Sequence, residues 1–464
     1  MSLQELFRAA QPVVPVRGVH LDMKGTPPTP DRLIDLLGLF ASLRYNAVLV
    51  EWEDTFPWTV DERFRCETAY SAADVARFHA EAARQGLEVI PLVQCLGHME
   101  TPLAVPGYER LREVAHKADV LNPLADGARE LVTAMVEDVL AASPGLKHFH
   151  LGGDEAWSFG THPDTKAYVE AHGKGALYMH FVEPILDVLI ARGVRPILWH
   201  DMMQQWDAES LQRLAAKADL CVWGYRGHPD STQGHHSSKV MQRFADHGVP
   251  MWGACAYKGA SGHNADLTDH DIHTLNAVGW AEVTGRFGLK GVFATAWSRY
   301  STHNVCCETT EASLDSLANV AVILHDGKTP DGGVDACVEG LTDVGEKGRF
   351  EASHAAMKQL ADARNGGWFT ARTLRELVVM ATQDARRRTG GGMVASLQRL
   401  ANHVAAADQA ASAARKTWAG LIEPIWVERY LTERIEPLRE ELAQLTVRVR
   451  ELDPVGYAAL FGEG

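Results

Sequence analysis

The sequence of 464 residues has no apolar run approaching the roughly 20 residues that span a bilayer, so we expect no membrane segment. Basic residues are outnumbered: 45 lysines and arginines stand against 60 aspartates and glutamates, for a net charge of −15. An acidic surface repels phosphate backbones, so we expect no nucleic-acid partner. The amino terminus has no basic stretch followed by an apolar stretch. We therefore predict no secretory signal and a cytoplasmic protein.

Sequence signatures of disulfides, dinucleotides and zinc proteases are also missing. The seven cysteines are an odd number, and no two of them are spaced as CxxC. Most lie in apolar runs, so we predict reduced thiols in the core of a cytosolic protein. No GxGxxG follows the first predicted strand, and there is no HExxH motif. We therefore expect neither a cofactor nor a metal.

The sequence does contain a repeated alternation of strands and helices. Apolar residues make up 46% of the chain, which allows a large core. Strands buried on both faces, alternating with amphipathic helices, indicate a parallel sheet covered by helices. Eight such units favour a closed (β/α)8 TIM barrel over an open doubly wound sheet. The predicted strands are 16–22, 46–52, 87–94, 148–153, 195–200, 219–224, 249–257 and 289–297.

The carboxyl-terminal part of the sequence has a different pattern. It is rich in Ala, Arg, Leu and Glu, has no strand-like run, and includes a long amphipathic helical pattern at 426–452. We predict a catalytic barrel at 1–335 and an all-helical domain at 340–464. The apolar stripe of that domain could pack on the barrel or on a second subunit, which raises a homodimer as a hypothesis.

Aromatic residues and acids collect at the carboxyl ends of the predicted strands, where a barrel of this type places its active site. Strand 2 ends in EWEDTFPW and strand 8 in WSRY, at residues 51–58 and 297–300. Aromatic rings stack on the apolar faces of sugars, while carboxylates and arginines bind hydroxyls, so the pattern favours a carbohydrate ligand. The candidate site residues are Arg17, Asp54, His98, Asp154, Glu155, Trp199, Asp201, Trp223, Tyr257, Trp297, Arg299, Tyr300 and Glu308.

Two other functions are compatible with these residue types. His20, His98, His150, His200 and Asp201 could ligate a metal, as in a metal-dependent hydrolase. A barrel that binds carbohydrate without catalysis is the other alternative. The adjacent acids Asp154 and Glu155 favour an enzyme over this alternative, because a binding protein has no need of a proton donor.

The motif HLGGDE at 150–155 resembles the signature of glycoside hydrolase family 20, the β-N-acetylhexosaminidases. The motifs RGVHLDMKG, EWEDTFPW, LGHME, ACAYKGA and WSRY, in this order, resemble its hexosaminidase D-like branch. The similarity runs from Arg17 to Glu308. It implies an exo-acting enzyme that hydrolyses terminal β-linked GlcNAc or GalNAc with retention, in a TIM barrel and without a cofactor.

Adjacency of the two acids bears on the mechanism. Most retaining glycosidases place two carboxyl groups about 5–5.5 Å apart across the scissile bond, and neighbours in an extended strand point to opposite faces. The resemblance implies substrate assistance instead, in which the acetamido oxygen of the sugar attacks the anomeric carbon to form an oxazolinium ion. Glu155 is then the general acid and base, and Asp154 accepts a hydrogen bond from the acetamido N–H.

The resemblance also implies roles for the remaining candidates. Tyr257 would donate to the acetamido oxygen, Arg17 would clamp ring hydroxyls, and His98 with Asp54 would support the acid. A pocket for the acetamido group would be walled by Trp199, Trp223 and Trp297. Well-known members end strand 8 with a Trp-x-Glu motif, whereas this chain has Arg299 there; Glu308, Asp201 and Tyr300 are further candidates for sugar contacts.

Overall fold

The computed structural model describes residues 2–231, 236–262, 264–302, 304–389 and 392–462. It divides into two compact units, the first ending at Lys347 and the second beginning at Gly348. This division lies a few residues after the predicted boundary at 335–340. No helix in the described ranges combines the length and the apolar character needed to cross a bilayer.

Eight parallel strands form a closed barrel in sequence order, which confirms the predicted (β/α)8 fold. Strand β2 shows why these segments form strands: its residues AVLVE are all buried, as expected for a strand covered on both faces. The strands are β1 Val16–Asp22, β2 Ala47–Glu51, β3 Glu88–Leu92, β4 His148–His150, β5 Arg195–Trp199, β6 Asp219–Trp223, β7 Met251–Lys258 and β8 Gly291–Ala296.

Helices surround the barrel, and several of them begin at side-chain caps. Ser71 caps the helix after β2: its hydroxyl and the Asp74 carboxylate form a reciprocal capping box. The helices of the first unit are α1 Leu3–Leu6, α2 Pro30–Ser42, α3 Ala72–Arg84, α4 Glu100–Leu103, α5 Ala128–Ala142, α6 Pro163–His172, α7 Lys174–Ala191, α8 Ala208–Lys217, α9 Ser238–Asp246, α10 His270–Phe287, α11 Leu314–Asp326 and α12 Gly333–Gly340.

A buried ion-pair network shows why the first unit extends past residue 340. The fully buried guanidinium of Arg32 on α2 donates from Nε to Glu311 Oε1 at 2.8 Å and from Nη1 to Glu346 Oε1 at 2.6 Å. Together the two carboxylates raise the pKa of Arg32 against the opposing effect of burial. Glu346 is therefore tied to the barrel unit by a charge that would be costly to leave unpaired.

The barrel interior has an apolar lower part and a polar upper part. Lower down, Leu49, Ile90, Ile197, Trp252 and Phe293 pack together, and the last two rings stack with centroids 5.2 Å apart. Because side chains alternate across a strand, every second residue from these positions also faces inward. This alternation decides which residues at the carboxyl ends reach the mouth of the barrel.

The polar upper part of the interior is connected across neighbouring strands. His20 Nε2 lies 3.4 Å from Glu51 Oε2, and Gln94 Nε2 donates to Glu51 Oε1 at 3.2 Å. Asp22 Oδ2 accepts from the Ser298 N–H at 2.8 Å, which ties β1 to the loop after β8. These buried bonds hold the strand ends from which the site loops leave.

The second unit consists of helices in the described residues, which confirms the predicted helical carboxyl-terminal region. Its helices are α13 Lys347–Gln383, α14 Gly392–Thr417, α15 Pro424–Leu452 and α16 Pro454–Phe461. Their apolar stripes form a shared core that includes Leu374, Leu400, Leu438 and Val449. The homodimer through this unit stays a prediction.

Candidate active site

A cavity of about 600 Å³ opens at the carboxyl ends of the strands. Its volume is in the range of about 300–1,000 Å³ that is typical of small-molecule sites. The walls combine aromatic rings with carboxylates. The aromatic lining residues are Trp157, Trp223, Tyr225, Trp297 and Tyr300, and the acidic ones are Glu100, Asp119, Asp154 and Glu155.

Two glycines turn the chain from β4 into this cavity. Gly152 and Gly153 have φ angles of +58° and +81°, which L side chains rarely adopt. A Cβ atom at Gly152 would lie 1.9 Å from Gln94 Oε1, and one at Gly153 would lie 2.2 Å from the Tyr178 phenol oxygen. Only glycine therefore allows the close approach that brings Asp154 to the end of the barrel interior.

Glu155 is held in an unusual backbone conformation. Its φ angle is +47°, which is uncommon for a residue other than glycine. The Glu155 N–H donates to Asp201 Oδ2 at 2.9 Å, and its carbonyl accepts from the Trp157 N–H at 2.7 Å. Backbone strain of this kind persists where surrounding contacts impose it, and it concentrates at functional sites.

The two adjacent acids occupy different environments. The Asp154 side chain is 9% exposed, and its Oδ1 is buried with no hydrogen-bond partner among the described residues. The Glu155 side chain is 34% exposed. A buried acceptor without a partner is costly unless a ligand satisfies it. Asp154 is thus placed to meet a buried donor, and Glu155 to exchange protons near solvent.

His98 lies between the two acids. Its Nε2 is 3.6 Å from Asp154 Oδ2 and 3.4 Å from Glu155 Oε2. The loop of His98 packs directly on the loop that carries Asp154 and Glu155, since a Cβ atom at Gly97 would lie 1.9 Å from the Asp154 carbonyl oxygen. Burial opposes the charged imidazolium, but the carboxylates of Asp154 and Glu155 outweigh it, and the pKa of His98 is well above its ordinary value.

His98 is expected to make folding stability depend on pH. Because its pKa is raised in the folded state, its stabilising effect is complete below the unfolded pKa of about 6.5 and is lost as the pH rises through the folded pKa. Urea unfolding of the wild type and of His98→Gln, at mildly acidic and at alkaline pH, measures this. The free-energy advantage of the wild type should shrink at alkaline pH; an advantage that is the same at both would contradict the ion pairing.

Asp201 acts on both the acid loop and the aromatic wall. Besides its bond to the Glu155 N–H, its Oδ1 accepts from the Trp223 indole N–H at 3.2 Å. Burial and the neighbouring charge of Asp154 raise the pKa of Asp201 to about 7. Both carboxylate oxygens thus bind protein groups. Asp201 therefore positions Glu155 and Trp223, whereas the sequence had predicted a contact between Asp201 and the sugar.

Three of the five predicted aromatic residues line the cavity. These are Trp223, Trp297 and Tyr300. Trp199 is fully buried below them, with its ring centroid 6.2 Å from that of Trp297 and 4.3 Å from that of His150. It supports the wall from beneath. His150, considered above as a possible metal ligand, is part of this packing.

The placement of Arg17 contradicts its predicted contact with sugar hydroxyls. Arg17 lies at the amino-terminal end of β1, the end opposite the cavity. Its guanidinium donates to the carbonyl oxygens of Val14, Pro15 and Arg44 at 2.8–3.0 Å. The alternation that turns His20 inward turns Arg17 outward, so the arginine anchors the chain below the barrel.

Tyr257 is also placed away from the cavity that it was predicted to line. It is fully buried at the end of β7, where the inward positions are those of Trp252 and Ala254. Tyr257 is an odd number of residues away from these inward positions, so its side chain faces the helix layer. Its phenol lies beside Thr310. Because of strand alternation, Tyr257 points away from the cavity, so the predicted contact between Tyr257 and the acetamido group is wrong.

Three further predicted residues belong to the surrounding loops and do not line the cavity in the described part of the chain. Asp54 lies in a short 3-10 helix, Glu53–Thr55, and its predicted pairing with His98 stays a prediction. The carboxylates of Asp154 and Glu155 both lie within ion-pair distance of His98. Glu308 Oε1 accepts from the Gly259 N–H at 2.7 Å. Arg299 contacts the Cys306 sulfur and the Thr302 carbonyl within its own loop.

Tyr225 is a cavity residue that the sequence interpretation missed. Its ring stacks on Trp223, with centroids 5.4 Å apart and planes 18° from parallel, and meets Trp297 edge-on at 5.9 Å. Burial and the charge of Asp154 raise the pKa of its phenol well above the ordinary value. Extending the inward alternation of β6 from Cys221 through Trp223 would have predicted this position.

Lys24 is a second missed residue of the site region. It is buried, with Nζ 3.0 Å from both Asp22 Oδ1 and Glu51 Oε1 and 5.9 Å from the ring centroid of Trp297. Burial lowers its pKa, but the carboxylates of Asp22 and Glu51 outweigh this, so the pKa of Lys24 is well above its ordinary value. Lys24 thus links the polar interior to the aromatic wall.

The candidate metal ligands and the cysteines do not form clusters in the described residues. No group of three or more His, Cys, Asp or Glu side chains with metal-binding geometry occurs there. All seven cysteines are free thiols, and six of them are buried. The thiols therefore contribute to packing.

Comparison with known proteins agrees with the motifs and the geometry. Residues 16–243 match the family described as glycosyl hydrolase family 20, catalytic domain. The chain is 33% identical to hexosaminidase D of Bos taurus over 314 residues, covering 65% of this chain and 90% of the bovine protein. It is also 33% identical to hexosaminidase D of Homo sapiens over 341 residues, covering 71% of this chain and 69% of the human protein.

A solved structure has the same fold. The β-N-acetylhexosaminidase of Bacteroides fragilis superposes with a TM-score of 0.55 at 16% identity, covering 72% of each chain. At that identity the likeness concerns the fold alone. The two hexosaminidase D relatives carry the assignment, because this chain covers more than two thirds of each at 33% identity. The protein therefore belongs to glycosyl hydrolase family 20, with the hexosaminidase D-type members.

Proposed function

We propose that the protein is an exo-acting β-N-acetylhexosaminidase that releases terminal β-linked GlcNAc or GalNAc with retention, by substrate-assisted catalysis. The observation that carries this proposal is the unequal placement of the adjacent acids. Asp154 presents a buried, unpartnered Oδ1 inside an aromatic cavity, and Glu155 stands at its more exposed edge. Such a pair supplies one buried acceptor and one proton donor, so the nucleophile must come from the substrate and not from a second carboxylate.

The first step forms a ring within the substrate. The acetamido carbonyl oxygen attacks the anomeric carbon while the bond from that carbon to the leaving oxygen breaks, and Glu155 gives its proton to the leaving oxygen. The acetamido N–H donates to Asp154, whose negative charge stabilises the positive charge that develops on the oxazolinium ion.

The second step reverses the geometry of the first. Glu155, now a carboxylate, takes a proton from water as the water oxygen bonds to the anomeric carbon and the oxazolinium ring opens. Two inversions at the anomeric carbon give net retention. The bond from the Glu155 N–H to Asp201 holds the backbone, and His98 Nε2, 3.4 Å from Glu155 Oε2, helps to orient the carboxyl for both proton transfers.

The aromatic wall is suited to hold the acetamido group. Trp223, Tyr225 and Trp297 line the cavity next to Asp154, and the phenol of Tyr225 is under the influence of the Asp154 charge. We assign to Tyr225 the donation to the acetamido oxygen that the sequence had indicated for Tyr257. An oriented phenol favours the carbonyl geometry that attacks the anomeric carbon.

A panel of three substrates tests the proposal. We expect hydrolysis of 4-nitrophenyl β-glycosides of GlcNAc and GalNAc and no hydrolysis of the glucoside, because glucose lacks the nucleophile. Proton NMR of the reaction should show the β-anomer of the free sugar first. Comparable cleavage of the glucoside, or an α-anomer as first product, would contradict substrate assistance. Binding without cleavage would indicate a carbohydrate-binding barrel, and loss of activity with EDTA a metal-dependent hydrolase.

A further inference from the structure

Trp157 follows the two acids in the loop after β4, and it is unusually exposed. The residue is 75% exposed although it lines the same cavity as Asp154 and Glu155. Exposing an indole to water is unfavourable, and such exposure often marks a surface that a ligand covers. None of the roles described above uses this ring.

The position of Trp157 is coupled to that of the acid. Its N–H donates to the Glu155 carbonyl at 2.7 Å, and Glu155 is itself fixed through Asp201. These backbone bonds hold Trp157 next to Glu155 in the same turn of the loop. The indole therefore starts from a backbone position close to the carboxyl group that protonates the leaving oxygen.

The direction of proton transfer decides which part of the substrate meets this ring. The sugar with the acetamido group lies against the inner wall of Trp223, Tyr225 and Trp297, next to the buried Asp154. Glu155 gives its proton to the leaving oxygen, so the leaving group lies on the outer side of Glu155. Among the aromatic residues that line the cavity, Trp157 is the exposed one and follows Glu155 in the same loop.

We propose that Trp157 is a specificity-determining residue that stacks on the first sugar ring of the leaving group. The proposal rests on the function proposed above. Stacking needs an apolar face, which a pyranose ring or an aromatic group offers.

The test compares substrates with and without a ring in the leaving group. We expect Trp157→Ala to raise KM for the β-linked GlcNAc disaccharide about tenfold while kcat changes little. Hydrolysis of the β-fluoride of GlcNAc, whose leaving group has no ring, should stay at the wild-type rate. Trp157→Phe, which keeps an aromatic face, should give an intermediate KM for the disaccharide.

Trp368→Ala is the matched control, because it removes a partly exposed indole from α13, outside the cavity. It should leave both substrates unaffected. An equal loss on the disaccharide and the fluoride would overturn the proposal, because Trp157 would then act by positioning Glu155. An unchanged KM for the disaccharide would overturn it as well.

A binding measurement separates this proposal from the proposed function. Calorimetric titration of the disaccharide into Glu155→Gln requires no turnover, and adding Trp157→Ala should weaken Kd about tenfold. If the wild type does not hydrolyse the fluoride, the proposed function fails. The tenfold difference in Kd would still support the stacking of Trp157 on the leaving-group sugar. Equal Kd values for Glu155→Gln with and without Trp157→Ala would overturn the proposed stacking by Trp157, even if the wild type hydrolyses the fluoride.

Discussion

Replacement of Glu155 by glutamine is expected to lower kcat by about 10²–10⁴-fold on substrates whose leaving group is a sugar. Glutamine cannot donate a proton to the leaving oxygen, and it cannot activate water in the second step. The loss should be smaller for a good leaving group such as 4-nitrophenolate, because that oxygen needs less protonation. Steady-state kinetics on the disaccharide and on the 4-nitrophenyl glycoside measure the difference.

Chemical rescue provides the control for this variant. Azide is a nucleophile that requires no deprotonation, so it should restore turnover of the 4-nitrophenyl glycoside by Glu155→Gln and yield the β-glycosyl azide. Glutamine is close to glutamate in size and keeps the backbone bonds to Asp201 and Trp157, so the loop should be preserved. Equal losses on the two substrates, with no effect of azide, would argue against a general acid and base role for Glu155.

Asp154→Asn is expected to lower kcat by about 10²–10³-fold, with a smaller effect on KM. Asparagine can still accept a hydrogen bond from the acetamido N–H, but it lacks the charge that stabilises the oxazolinium ion. The effect should therefore appear in the transition state more than in the bound substrate. A thiazoline analogue of the bicyclic intermediate should bind the wild type much more tightly than the variant.

Turnover of Asp154→Asn at the wild-type rate would contradict substrate assistance by this residue. A loss of kcat accompanied by a large fall in melting temperature would instead indicate damage to the loop, since the Asp154 backbone packs against Gly97. The same charge removal also acts on His98 and Asp201, whose pKa values depend on Asp154. The pH dependence of stability should therefore weaken in this variant.

Much of the fold was predictable because the relevant patterns are local. Each strand is a short apolar run, and several helices begin at a side-chain cap and show an apolar stripe, so the (β/α)8 order follows from the chain read in sequence. The exact end of the first unit is harder to read from local patterns. Glu346 joins the barrel unit through its contact with Arg32, more than 300 residues earlier.

The site was predictable where it consists of contiguous residues. Asp154 and Glu155 come soon after β4, and the two glycines before them indicate a turn. Trp223 and Trp297 were found because strand ends meet at one mouth. The predictions for Arg17 and Tyr257 were wrong because a strand end alone does not specify whether a side chain faces the interior or the helices.

The sequence by itself determined the barrel, the helical carboxyl-terminal region and the pair of acids at the end of β4, since all three depend on short-range backbone preference and apolar spacing. Only the tertiary structure decided which strand-end residues share the cavity. Tyr225 enters it while Tyr257 faces the helix layer, and His98 reaches Asp154 from a loop more than fifty residues away. The physical reason is that convergence depends on strand register, side-chain alternation and loop packing, which are set by contacts between segments distant in the chain.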